Sequence, residues 1–434
     1  MNPPISPEAA AQAAATLSDT ELLELVQRQT FRFFWDGAHP VSALAADRRT
    51  GREHVPDDAV SNDKMAIGGS GFGIMALIVA IERGWVSRAA ALERLERMLE
   101  LLGSATRFHG AFPHFVNGST GATIAFSAKD DGADLVETSY LCMGLLCARQ
   151  YFDRDTEQRA RARISALWEE VEWTWYTRDG QRVLYWHWSP THGWALNHPI
   201  HGWNECLITY VLAAAAPRHP IDAPVYHEGF AAGPVYRNGN SYYGVELPLG
   251  VPYGGPLFFA HYSFCGLDPR GLIDRHADYW QQNQRHVRIN HAHCSTNPHR
   301  YRGYSGSCWG LTASDDPSGY VAHAPDVDNG TISPTAALSS FPYAPHEALQ
   351  ALRHFLALQD GRLWGRYGLI DAFCETQDWY ADTFLAIDQG PIIVMIENQR
   401  SGLLWRLFMS IPEVQTGLRR LGFASPHLQP AGPR

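Results

Sequence analysis

The stretch GFGIMALIVAIERGWVSRAAALERLERMLELL, Gly71 to Leu102, reads as two helices broken at Arg83-Gly84, an αα-hairpin. The pairing recurs at 134–152 and 156–175, and a third series starts at 203–215 after a loop rich in Trp and His. In that third series ECLITYVLA is apolar on nearly every face, as an inner helix of an all-α domain is. Segment 19–36, after a Ser18/Asp19 cap signal, is the opening helix, and 269–283, 344–358, 379–398, 402–409 and 411–421 are further helices. Strand-like alternation is confined to short pieces, 183–188 and 226–245. Helical hairpins alternating with long aromatic loops predict an all-α fold of helix packed on helix, with the loops gathered at one end. No short-period repeat points to a solenoid.

No long Gly/Ser-rich or charged linker divides the 434 residues. The expected organisation is one domain over 19–423, a poorly ordered extension over 1–18 and a tail over 424–434. A net charge of −10 without long like-charge blocks argues against a nucleic-acid surface. The seven cysteines form no CxxC pair, so free thiols in a reducing compartment fit best. The first residues lack a basic n-region and an apolar h-region, and no run reaches the roughly 18 apolar residues of a membrane span, so a protein off the membrane is expected, cytoplasmic if this start is native and periplasmic if it is a processed or trimmed one. The 14 Trp, 18 Tyr, 19 Phe and 20 His fall largely in Gly/Pro-rich segments. Aromatic rings in loops suit the flat faces of sugars, although some will cap a core.

Carboxylates in apolar surroundings are the candidates for chemistry. Glu205 follows the turn Gly202-Trp203-Asn204, crowded by His198 and His201. It either favours the positive end of a helix dipole or is a general acid whose pKa a low-dielectric pocket raises. Asp130, Asp134 and Glu137 stand at spacings of four and three and would share one face if the helix reached back to 130. Asp134 with Glu137 also approximates a capping box. Asp378, Asp382, Asp388 and Glu397 enter a hydrophobic segment that Asp388-Gln389-Gly390-Pro391 breaks before a new helix, and such acids bind polar ligands or make caps. Arg302, Tyr304, Trp309 and Tyr320 read as a polar, aromatic binding loop, where Ser305 and Ser307 do not make GxSxG. The glycines of NDKMAIGGSGFGIMAL match neither phosphate-binding motif. The clusters His187/192/198/201 and His286/291/293/299 contain no HExxH and no carboxylate or Cys set in register, so no metal is expected from them.

The phrases HGWNECLITYVLA, DLVETSYLCMGLL, RGYSGSCWGLTASDDPSGY and YADTFLAIDQGPIIVMIENQRSGLLWRLFM, within a match from Phe31 to Phe423, closely resemble the glycoamylase-like family. That family includes the bacterial endo-β-1,2-glucanases of glycoside hydrolase family 144 and is similar to a domain of cyclic β-1,2-glucan synthases. The resemblance implies an (α/α)6 toroid whose inner helices line a cleft, and inverting hydrolysis of β-1,2-glucan or its oligosaccharides with no cofactor. It puts Glu205 on the essential glutamate of GWNE, Asp134 and Glu137 on the DLVET carboxylates, Asp130 on the acid before them and Asp388 on the IDQG aspartate. On this basis Glu205 is the acid, Asp134 the first candidate for the base, and Asp130 and Asp388 stand behind it. Glu137, His201, Trp203, Arg302, Tyr304, Trp309, Trp379 and Asp382 are expected at the substrate. Exo-acting disaccharide release, transglycosylation, or sugar binding without turnover are the other readings of such a chain.

Overall fold

The computed structural model describes residues 3–51 and 63–428. Helices carry the chain: α1 (Pro7–Thr16), α2 (Asp19–Trp35), α3 (Ile67–Glu82), α4 (Arg88–Ser104), α5 (Leu135–Tyr151), α6 (Gln158–Glu169) and α7 (Leu207–Ala215). They continue as α8 (Tyr279–Thr296), α9 (Pro334–Leu338), α10 (Pro345–Ala357), α11 (Ala386–Arg400), α12 (Leu403–Met409) and α13 (Pro412–Arg420). Among the described residues the strands are two to four residues long and no sheet exceeds three strands.

Two kinds of helix alternate. α3 is buried on every face from Ile67 to Ala80, α5 from Leu135 to Ala148, and α7 along its whole length. α2, α4, α6, α10 and α13 bury one stripe and leave the other wet, which is what their charged residues require. The buried helices contact one another in succession: α11 touches α3, α3 touches α5, and α5 touches α7. α7 reaches the 3₁₀ turn Ser263–Cys265, His261 beside that turn bonds Ser340 Oγ at 2.9 Å just after α9, and α9 returns to α11. One hydrophobic cluster runs through all of them from Ala10 to Phe423.

The α3–α5 contact is backbone on backbone. A Cβ on Gly71 would stand 2.2 Å from the Tyr140 carbonyl oxygen, and one on Gly144 would stand 2.1 Å from the Gly71 carbonyl oxygen. The glycines that superficially suggested a phosphate loop are there for close approach.

Several boundaries differ from the sequence reading. The expected helix at 269–283 lies instead at Tyr279–Thr296, capped by Asp278, because Pro269, Gly271 and an Asp274 turn hold the preceding residues. The 226–245 stretch holds a π-helical turn, Val225–Phe230, and strands only at Ser241–Tyr242 and Val245–Glu246. The break expected at Asp388–Pro391 falls earlier: Trp379–Tyr380 and Thr383–Leu385 are strands, α11 starts at Ala386, and Pro391 sits inside it. The segment 1–18, expected to be poorly ordered, holds α1, capped by Ser6 and packed against α10; residues 1–2 lie outside the described residues. In the expected tail, Ala424 pairs with Ile273, and 429–434 lie outside the described residues. All seven cysteines are free and buried, as their spacing predicts.

Candidate active site

A cavity of about 350 Å³ opens where α3, α5, the turn before α7, and α11 begin, so it sits at one end of the buried helices. Its wall carries three carboxylates, Asp47, Glu137 and Glu205, and three basic groups, Arg48, Lys64 and His114. Aromatic rings complete it, among them Phe126, Tyr140, Trp186, Tyr262 and Tyr320. Lys64 is held by Asp47 at 3.0 Å and Arg48 by Asp315 at 3.1 Å.

Glu205 is buried in this wall and makes no ion pair among the described residues. Nor does it cap a helix, since Asn204 Oδ1 accepts the Cys206 N–H at 3.0 Å. Desolvation, reinforced by the nearby Asp134 and Glu137 charges, pushes its carboxyl up to about 7. Glu137 lines the same cavity from α5, where Oε2 accepts the Gly68 N–H at 2.7 Å from the first turn of α3. Burial pushes Glu137 up to about 7 as well, against the pull of the His114 cation and the Gly68 amide. The capping box expected of Asp134 and Glu137 is therefore half realised.

Asp134 is the cap. Its Oδ1 accepts the N–H groups of Val136 at 3.0 Å and Glu137 at 2.9 Å, and its Oδ2 bonds His114 Nδ1 at 2.9 Å. Burial would raise its pKa, but these partners and His187 hold it below the ordinary carboxylate value. His114 is its counterpart: burial opposes the imidazolium, and Glu137 with Asp134 outweigh burial and hold it up to about 9. Asp134 is wholly buried and does not reach the cavity, so the role of base assigned to it from sequence does not fit its surroundings.

Asp130 lies outside the helix, which begins at Leu135, so the shared helical face does not form. A Ser127–Asp130 bridge and the pairing of Ala133–Asp134 with His187–Trp188 nevertheless bring Asp130 Oδ2 to 3.3 Å from His187 Nδ1. Asp130 and His187 line a neighbouring depression with Phe126 and His198. Asp388 is buried behind the cavity wall beside Asp371. Burial and mutual proximity push both carboxyls up. Asp371 in turn accepts the Asp315 N–H at 2.7 Å.

The expected substrate contacts divide. Glu137 and Tyr320 line the cavity; the others do not. Trp203 is buried against Tyr236 and Tyr279 and offers no ring face. Tyr304 and Trp309 are buried too, their polar atoms bonded to Asp328 Oδ1 at 2.7 Å and to the Glu347 carbonyl at 3.3 Å. Arg302 is spent on the carbonyl of Glu375, and Trp379 sits in the hairpin that pairs it with Cys374. The main chain of Asp382 pairs with Gly51, and His201, half-buried, packs over Gly233. Of the histidines at 286–299, His286 bonds the Gly255 carbonyl and His293 joins Asp328 to Tyr243, both structural uses.

Sequence reasoning missed His114, Trp186, Arg48 and Lys64. Only Tyr140 carried a signal, three residues after Glu137 on one helical face. Two glutamates whose carboxyls burial pushes up to about 7 in one aromatic cavity make an acid–base site for a neutral, polar substrate.

The family model "Putative glucoamylase" matches residues 197–412. A crystal structure under the same description, from Bacteroides uniformis, is 55% identical, covers 95% of this chain and 100% of its own, and superposes with a TM-score of 0.92. An endo-β-1,2-glucanase from Chitinophaga pinensis, in complex with sophorotriose and glucose, is 52% identical, covers 95% and 100%, and also gives 0.92. An exo β-1,2-glucooligosaccharide sophorohydrolase (non-reducing end) from Parabacteroides distasonis is 45% identical over 428 residues, covering 93% of this chain. The chain spans 58% of the length of that curated relative.

Proposed function

The chain belongs to the glycoamylase-like family, and from that premise we propose that it is a glycoside hydrolase of family 144 type that cleaves β-1,2-linked glucan or gluco-oligosaccharides. The succession of buried helices with amphipathic helices outside them is read as an (α/α)6 toroid, and 19–423 as one catalytic domain. Support for the substrate class comes from relatives named for β-1,2-glucan and its oligosaccharides. The observation that carries the chemistry is the pair Glu205 and Glu137, both near 7 in one cavity.

Among the described residues no cation pairs with Glu205 to keep it ionised, which suits the acid that protonates the leaving oxygen. Glu137 has His114 and the Gly68 amide to favour its anion, which suits the base that takes a proton from water. The two come from different elements and can stand on opposite sides of a sugar, as inversion requires. Asp134 acts through others: it fixes the His114 imidazolium and the start of α5. Trp186 and Phe126 supply ring faces for the glucosyl units.

The test is a digest of linear β-1,2-glucan. New reducing ends are expected, abolished in Glu205→Gln, and the same digest separates the two modes present among the relatives. Sophorose alone from the start means exo action, and a ladder of oligosaccharides means endo action. A folded protein that releases no reducing ends from any β-1,2-linked substrate would refute the proposal.

A further inference from the structure

Away from the cavity, three segments distant in sequence bring three metal-binding groups together. Cys308 comes from the loop after Arg302, His354 from the last turn of α10, and Glu375 from the turn joining strands Phe373–Cys374 and Trp379–Tyr380. The thiol sulfur, an imidazole nitrogen and a carboxylate oxygen all lie within 4.8 Å of one another. Cys308 is fully buried. His354 Nε2 and Glu375 Oε1 are shielded from solvent, and neither has a hydrogen-bond partner among the described residues. Buried donors and acceptors left unpaired are costly, and two at one spot call for something between them.

Among the described residues, two other groups of three such side chains are differently placed. His293 uses one ring nitrogen on Asp328 and the other on Tyr243, both at 2.8 Å, and Asp134 has both oxygens bonded. The Cys308 group keeps its polar atoms free. The chain also makes room for it: Gly303 has φ +90°, and a Cβ there would stand 2.0 Å from Glu375 Oε1. With that carboxylate in place, a left-handed residue without a side chain lets the loop pass over it.

We propose that Cys308, His354 and Glu375 form a zinc site that ties the outer helix α10 to the two surface segments beside it. One sulfur, one nitrogen and one carboxylate oxygen make a zinc set, where calcium and magnesium take oxygen. Tetrahedral bonds of about 2.0–2.3 Å place ligand atoms roughly 3.3–3.8 Å apart, inside the observed spread. A thiolate and a carboxylate also cancel the charge of a dication, which a buried site demands. Binding releases the thiol proton to solvent and involves no oxidation. None of the three residues lines the cavity, so the metal is structural.

The experiment uses the full chain without a histidine tag, stripped with a chelator and titrated with Co²⁺ and then Zn²⁺. A thiolate-to-cobalt absorption band saturating at about one equivalent is expected, displaced by Zn²⁺, with a rise in Tm when Zn²⁺ is added to stripped protein. The band should be lost in Cys308→Ser. Should that variant fail to fold, Glu375→Gln, at a half-exposed position, is expected to weaken Co²⁺ binding at least about tenfold. No thiolate band in the wild type, an undiminished band in Cys308→Ser, or unchanged affinity in Glu375→Gln would overturn the site.

Discussion

Glu205→Gln separates a poised acid from an ordinary buried carboxylate, because it acts on stability as well as turnover. In the folded protein the Glu205 carboxyl is pushed from its ordinary 4.5 to about 7, first by burial and then by the charges of Asp134 and Glu137. Between those two values the native state keeps a proton that the unfolded chain has released. Stability therefore falls as pH rises through that window, is fully reduced above about 7, and is unaffected below 4.5. Two and a half pH units at about 1.4 kcal/mol each put the whole effect at about 3.5 kcal/mol. Glutamine keeps the shape and cannot ionise, so the variant escapes the loss. Denaturant midpoints should show its stability relative to wild type growing by about 2.5 kcal/mol between about pH 5 and pH 8.5. Hydrolysis of β-1,2-glucan should meanwhile fall about 10²–10⁴-fold or more. A stability difference that does not change with pH would mean that Glu205 ionises freely, and the argument for it as the acid would fail.

Wild-type kcat/KM should follow a narrow bell near neutrality, the acid limb set by protonation of Glu137 and the alkaline limb by ionisation of Glu205; a plateau over several pH units would contradict that pairing. His114→Gln removes the cation that holds Glu137 down, so the acid limb should move to higher pH while the alkaline limb stays, and an unmoved acid limb would remove Glu137 from the role of base. Gly144→Ala should cost about 1–3 kcal/mol or more, read as a fall in Tm, because its Cβ would stand 2.1 Å from a main-chain oxygen that no rotamer change can move; an unchanged Tm would mean that α3 and α5 part easily. Proton NMR in the first minutes of turnover should show the α-anomer as the initial product, and initial β-anomer would require a double displacement.

The helix pairs were legible because an apolar run too long for a strand is followed by an amphipathic segment with a helical period, as in Ile67–Glu82 and Arg88–Ser104. Glu205 was legible because a charge at the head of an apolar helix is conspicuous. The alternative readings of Asp134 could not be separated without its partners: it is both the cap and the anchor of His114, and neither role exposes it to water. His114, Arg48 and His187 arrive by pairings of two or three residues, such as Arg48–Thr50 with Thr383–Leu385, too short to leave a period and too far apart to suggest one another. The loop from Arg302 to Trp309 misled because composition cannot distinguish an aromatic ring lining a groove from one in the core. Helix Tyr279–Thr296 was hidden for the opposite reason, its buried face mixing Gln282, Asn283, His286, Asn290 and His293 with Tyr279, Val287, Ile289 and Cys294.

The contact at Gly71 and Gly144 has a bearing on how such a protein can diversify. With main chain against main chain, single substitutions there have no graded series from small to large; the first methyl group already forces α3 and α5 apart, and Glu137 travels with α5 while its Gly68 partner travels with α3. Drift at those two positions is therefore coupled to the acid–base pair itself. The connections that reach the cavity are under no such constraint, since doubling the length of a flexible loop costs only about 0.6 kcal/mol. New chain-length preferences should accordingly arise by insertion and exchange in the loops that precede the buried helices, around 39–50, 109–133 and 313–322, while the helix pair beneath them stays fixed as a common chassis.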